Sequence, residues 1–150
     1  MEIEKKFLVP VLPEHLETYP KKHIAQGYLC TNPVVRIRKS NEDYYLTYKG
    51  KGLMVREEHE LPLTQESFEH MLPKVDGNLI SKTRYLIPLE HNLTAELDIF
   101  EGNLSSLRLV EVEFSSVEEA DNFIPPVWFG EEVTHSGKYH NSYLSQHGLH

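Results

Sequence analysis

Glu2, Glu4 and Lys6 stand two residues apart at the start of the chain, just ahead of the apolar Phe7-Leu8-Val9. In a β-strand, residues two apart share a face and lie roughly 7 Å from one another. Two carboxylates on one face can bind a hard cation, and an ammonium beside them can bind an anion. The chemistry this points to is a metal with a polyphosphate. A solvated strand face is also charged, so the triplet decides nothing alone.

The same period recurs down the chain. Arg36 and Arg38 flank Ile37, and Lys49 follows Tyr44-Tyr45-Leu46-Thr47-Tyr48. Arg56, Glu58 and Glu60 alternate, Lys82 and Arg84 flank Thr83, Glu96 and Asp98 flank Leu97, and Glu111 and Glu113 flank Val112. The signs are grouped by strand, although like charges side by side are destabilising. That grouping suits a cavity with one wall for anions and another for cations. Pooled in dry protein, such charges would be very costly, so the cavity must be wet or filled by a charged ligand.

These charges need strands to carry them. Eight strand-like segments are expected, at about 2–9, 22–29, 33–39, 43–50, 53–61, 79–88, 93–100 and 106–115. The turns Thr31-Asn32-Pro33, Ser40-Asn41-Glu42-Asp43, Lys49-Gly50-Lys51-Gly52 and Glu101-Gly102-Asn103 are short, which implies antiparallel pairing. Pro13 can begin a short helix reaching Tyr19. Thr64 can cap a helix carrying Phe68, Met71 and Leu72 that Pro73 ends. Ser116 with Glu119 fits a capping box, stopped by Pro125-Pro126, and a last helix is expected between Ser136 and Gln146. The fold class expected is mainly β with flanking helices, one domain over residues 1–150. If the charged positions point inward, Ile3, Val35, Ile37, Leu97, Ile99, Val110, Val112 and Phe114 point outward and need helices over them. The barrel is then inverted and its interior is a polar tunnel.

The bulk properties narrow the field. The chain has 150 residues and a net charge of −8, which argues against general nucleic-acid binding and leaves any anion to a local basic pocket. The single cysteine, Cys30, excludes an internal disulfide and reads as packing. No apolar run approaches the roughly 20 residues of a membrane helix, and the acidic N-terminus is unlike a signal peptide, so a cytoplasmic location is expected. His135, His140, His147 and His150 make no recognised ligand spacing and read as surface histidines. Gly50-Lys51-Gly52 reads as a hairpin turn and Trp128 as packing. No Ser/His/Asp or Cys/His arrangement stands out.

The ordered set resembles the CYTH superfamily, the triphosphate tunnel metalloenzymes. Glu2-x-Glu4-x-Lys6 matches its opening signature. Arg36-x-Arg38, Lys49, Arg56-x-Glu58-x-Glu60, Lys82-x-Arg84, Glu96-x-Asp98 and Glu111-x-Glu113 follow in its order. Val133-Thr134 through Lys138-Tyr139-x-Asn141-Ser142-x-Leu144 is similar to its C-terminal segment, with Lys138 where Arg is usual. The resemblance covers essentially the whole chain and looks most like the compact bacterial members. It implies an eight-stranded antiparallel closed barrel forming a polar tunnel, with the C-terminal helix closing one side and a triphosphate bound with Mg²⁺ or Mn²⁺. Family habit suggests a homodimer.

Carried onto this chain, the resemblance implies a metal set of Glu2, Glu4, Glu111 and Glu113, with Glu96 and Asp98 as weaker candidates. It implies a phosphate set of Lys6, Arg36, Arg38, Lys49, Arg56, Lys82 and Arg84. Glu4, Lys6, Glu58 and Glu60 are the expected catalytic group. The leading expectation is metal-dependent hydrolysis of the terminal phosphoanhydride of inorganic triphosphate, with nucleoside triphosphates next. The rivals are a class IV-type adenylate cyclase and a non-catalytic polyphosphate or nucleotide-binding module.

Overall fold

The structure is a computed structural model that describes residues 1–148. Its strands are β1 (Glu2–Leu8), β2 (Lys21–Thr31), β3 (Val34–Ser40), β4 (Asp43–Lys49), β5 (Val55–Arg56), β6 (Glu58–Leu63), β7 (Asp76–Pro88), β8 (Thr94–Phe100) and β9 (Arg108–Glu113). Three α-helices, α1 (Gln65–Met71), α2 (Val117–Asp121) and α3 (Asn141–His147), lie after β6, after β9 and at the C-terminal end. Every strand pairing is antiparallel, in the order β5-β1-β9-β8-β7-β2-β3-β4-β6. The two edge strands, β5 and β6, are separated in the chain by Glu57 alone, so the sheet wraps round and its ends meet there. The expected strand at 53–61 is thus broken: its first part pairs with β1, its second with β4, and Gly50 N donates to Glu57 O at 2.9 Å beside the break. Nine strands therefore make a nearly closed barrel where eight were expected.

Strand parity sets the inside and the outside. The apolar positions that alternate with the charges face outward and are buried there. Phe7, Val9, Leu97, Val110, Val112 and Phe114 belong to one cluster, covered by Phe123, Trp128 and Phe129 after α2 and by Leu12, Leu16 and Tyr19 before β2. The rings of Phe7 and Phe129 lie 4.9 Å apart, and those of Phe114 and Phe123 5.2 Å. Burying each such side chain stabilises the fold by about 1.5–3 kcal/mol. The core therefore sits between barrel and cover, which leaves the barrel interior free to be polar. Trp128 packs in this cover, as expected.

The covering elements are short. The expected helix from Pro13 reduces to a single 3₁₀ turn, Leu16–Thr18. α1 has its cap: Thr64 Oγ1 accepts from Ser67 N at 3.0 Å, and Ser67 Oγ accepts from Thr64 N at 3.1 Å. At α2, Ser116 Oγ accepts from Glu119 N at 3.0 Å, but the Glu119 carboxylate reaches back to Ser115 N, one residue before the expected partner. α3 is preceded by a 3₁₀ turn, Gly137–Tyr139, where one helix was expected.

A second apolar cluster plugs the barrel. Ile80, Phe100, Leu107 and Leu109 lie at the end of the interior away from Glu2 and Glu113, and Leu144 of α3 packs with them, beside Leu8 and Val133. α3 lies against β7 and β2, and it approaches so closely that a Cβ on Gly77, whose φ is +68°, would stand 2.5 Å from Ser145 O.

Candidate active site

The barrel interior is a cavity of about 290 Å³. Among the described residues, eight carboxylates and seven cations line it. Sheet order sorts them. Glu2 and Glu4 on β1, Glu111 and Glu113 on β9, and Glu96 on β8 form a continuous acidic wall. Arg84 on β7, Lys22 on β2, Arg36 and Arg38 on β3, and Lys49 on β4 form the basic wall. Glu58 and Glu60 on β6 and Arg56 on β5 close the ring.

The acidic wall is a cluster of like charges. Glu4 pairs through the backbone with Glu113, and Lys6 with Glu111, while Glu111 pairs with Glu96. Glu4 makes no ion pair or side-chain hydrogen bond among the described residues. Burial, and then Glu111 and Glu2, raise its carboxyl well above the usual carboxylate range. Burial likewise raises Glu113, with Glu2 and Glu96 adding to it. Glu2 is raised by burial against the pull of Lys49, whose ammonium contacts both its oxygens at 3.0 and 3.1 Å. Glu111 behaves oppositely. Burial opposes its charge, but Lys6 at 3.7 Å and Arg84 at 3.9 Å outweigh that and hold it well below the usual range.

The basic wall holds cations that the protein leaves uncompensated. Arg36 and Arg38 form no salt bridge among the described residues. Arg36 donates to Thr47 Oγ1 at 3.2 Å, and its buried Nε has no partner. Arg38 Nε donates to Gln26 Oε1 at 2.7 Å. Burial, with Arg36 and Arg84 close by, pushes Arg38 down to about 9, so it is still cationic at neutral pH. Arg56 donates to Gly50 O at 3.2 Å, and Lys49 also contacts Glu58 at 3.5 Å.

Lys82 and Asp98 are placed differently. Both share the inward parity of the site, yet neither lines the cavity. Each is 0% exposed, and Lys82 Nζ lies 2.7 Å from Asp98 Oδ2. Asp98 also accepts from Arg84 Nε at 2.7 Å and Arg84 NH2 at 2.9 Å. Burial opposes the charge on Asp98, but Arg84 and Lys82 hold it below its usual value. Burial lowers Lys82 from its ordinary value against the pull of Asp98.

Several lining residues were not anticipated. Lys22 and Tyr28 share the inward parity of β2, so the period could have found them. Buried Gln26 lies on the same face. Tyr45, Asn141 and Ser142 carried no charge to mark them. His140 corrects the surface reading. It is half-buried in the cavity wall, and burial, then Lys6, push it down to about 4. Lys138 lies outside the cavity with its ammonium 5.6 Å from the Tyr139 ring centroid. His150 lies outside the described residues.

A hard cation suits the donors of the acidic wall, and it would offset the burial and neighbouring acids that raise Glu4. Among the described residues, no three His, Cys, Asp or Glu side chains are gathered closely enough to hold a metal alone. Mg²⁺ normally takes one or two carboxylates and completes its shell with water and substrate phosphates, so this wall fits such a site.

A nearly closed antiparallel barrel with its apolar core outside and walls of opposite charge inside is a polar tunnel. The sequence comparisons agree: the CYTH domain profile matches residues 1–124, and the chain belongs to that family. It is 43% identical over 148 residues to an inorganic triphosphatase of Nitrosomonas europaea, covering 96% of each chain. It is 34% identical to an inorganic triphosphatase of Acetivibrio thermocellus, covering 95% of this chain and 92% of that one. Among solved structures, the crystal structure of an inorganic triphosphatase superposes with a TM-score of 0.72 at 40% identity, over 97% of this chain and 94% of that one. A Hippeastrum protein described as a putative adenylyl cyclase with dominant triphosphatase activity shares the fold at 17% identity and a TM-score of 0.61, over 81% of this chain and 83% of that one.

Proposed function

We propose that this chain is a divalent-metal-dependent triphosphatase that hydrolyses the terminal phosphoanhydride of inorganic triphosphate, with residues 1–150 acting as one tunnel unit. The observation that carries the reading is the pair of uncompensated guanidiniums, Arg36 and Arg38, sharing a small cavity with an uncompensated carboxylate, Glu4. Glu4 on one wall and Arg36 and Arg38 on the other have no ion-pair partner among the described residues, and a metal triphosphate would supply charges opposite to both. The relatives named inorganic triphosphatase support the same reaction. The cavity volume, at the lower end of ordinary ligand pockets, favours a compact inorganic substrate over a nucleotide held whole.

Arg36, Arg38 and Arg56 would grip the phosphates bidentately, and Lys6 and Lys49 would turn from Glu111, Glu2 and Glu58 toward the chain's oxygens. Cations already fixed by the barrel stabilise charge developing on the leaving oxygen without reorganising. Glu58 and Glu60 can accept a hydrogen bond from the attacking water. Glu2, Glu4, Glu111 and Glu113 would hold Mg²⁺ or Mn²⁺, which when bound neutralises phosphate oxygens.

A substrate panel with each metal, read by product identity, tests this. Orthophosphate with diphosphate from inorganic triphosphate is the expected result, and orthophosphate with nucleoside diphosphate would widen the substrate class. Cyclic AMP with diphosphate, or tight binding without turnover, would overturn it.

A further inference from the structure

We infer that Lys82 and Asp98 are positioning residues that act on substrate through Arg84, and that Lys82 does not contact phosphate. The inference rests on the triphosphatase reading. It departs from the simplest use of the inward parity that Lys82 shares with Arg84.

The geometry is specific. Arg84 is the cavity cation held by the most carboxylates: Asp98 behind it at 2.7 and 2.9 Å, Glu96 at 3.2 Å and Glu111 at 3.9 Å in front. Three acids on one guanidinium would spend its charge within the protein. Lys82 prevents this. Its ammonium shares Asp98 Oδ2 with Arg84 NH2, 2.7 Å away, so Asp98 is neutralised from behind and Arg84 keeps charge for the cavity. Lys82 itself cannot reach a ligand without leaving its pair. It is fully buried, absent from the cavity lining, and its ammonium sits 5.3 Å from the Phe100 ring centroid. Asp98 grips Arg84 through both Nε and NH2, which fixes the plane of the guanidinium as well as its position.

A charge-balance cycle separates the two roles. Lys82→Met leaves Asp98 balanced by Arg84 alone, so Arg84 has less charge for the cavity, and the KM for inorganic triphosphate should rise about tenfold with kcat nearly retained. Adding Asp98→Asn removes the surplus negative charge while leaving an oxygen for Arg84 Nε. The double variant should return to within about threefold of the wild-type KM. A phosphate-contacting Lys82 predicts the reverse, with the double variant as impaired as Lys82→Met or worse, and that result overturns the inference.

A second measurement needs no variant. In ¹⁵N-lysine spectra of the wild-type protein with chelator present, inorganic triphosphate should shift the Lys6 and Lys49 side-chain signals and leave Lys82 nearly unmoved. A Lys82 shift as large as that of Lys6 overturns the inference. Absence of wild-type turnover on every substrate would overturn the triphosphatase reading alone. The same spectrum taken with inorganic phosphate would still decide whether Lys82 meets an anion.

Discussion

Glu4 has a carboxylate that burial and neighbouring acids disfavour, and among the described residues no cation forms an ion pair with it. Such a group exchanges stability for binding. Glu4→Gln keeps the volume and removes the charge, so turnover with Mg²⁺ or Mn²⁺ should fall to background. The metal-free protein should melt higher, since each ~1 kcal/mol recovered raises the midpoint by roughly 2–4 °C in a domain of about this size. Retained turnover, or a lower midpoint, would remove Glu4 from the site. On the opposite wall, Arg38 and Lys39 are neighbours on β3 with opposite parity. Arg38 faces the cavity, and Lys39 lies outside with its ammonium 5.8 Å from the Tyr44 ring centroid. Arg38→Ala should weaken triphosphate binding by about 2–5 kcal/mol, at least tenfold, and Lys39→Ala should leave it near wild type. Lys22 would not serve as that control, because it lines the cavity. Calorimetry on the two variants decides, and equal small effects would mean that Arg38 does not meet the ligand.

At the scale of elements, parity was the legible signal. Period-two charge and apolar alternation placed Glu2, Glu4, Arg36, Arg38, Arg84, Glu111 and Glu113 on the cavity wall and put the core outside the barrel. Parity fixes a face and says nothing of depth. Lys82 and Asp98 share the correct face but lie behind the cavity wall, paired with each other. The break at Glu57 was also hidden, because Arg56-x-Glu58-x-Glu60 keeps its alternation across the bend and only the partner strand changes. His140 had no periodic neighbour; it stands between the 3₁₀ turn Gly137–Tyr139 and α3, and packing of that segment brings it into the wall. α3 also makes a prediction of its own. Leu144 is 2% exposed and plugs the interior beside Ile80, Phe100 and Leu109. Leu144→Ala should lower unfolding free energy by about 2–5 kcal/mol in denaturant titration. A loss below about 1 kcal/mol would mean that the plug is dispensable to the fold.

For the molecule as a whole, opposed walls make stability depend on pH and ligand together. Glu111 and Asp98 are held below their ordinary values, and His140 is pushed down to about 4. Each contributes stability that is present above its unfolded value and lost as pH falls through its folded value. Glu2, Glu4 and Glu113 are raised, so their contribution has the other sign: it is full below the ordinary carboxylate value and is lost as pH rises through their folded values. Near neutral pH the acidic wall is therefore the destabilising part of the tunnel, and a divalent cation with a polyanion would relieve it. A non-hydrolysable triphosphate with Mg²⁺, at a hundredfold excess over Kd, should stabilise the protein by about 2.7 kcal/mol. Because ligand carboxyls must lose protons to bind metal, the melting shift at one fixed ligand concentration should be larger at about pH 8 than at about pH 5. It should shrink in Glu4→Gln, where one metal carboxylate is gone, and in Arg84→Ala, where the basic wall is weakened. A shift of equal size at both pH values would mean that ligand binding does not discharge the acidic wall, and no shift at millimolar ligand would leave the two walls without a shared occupant.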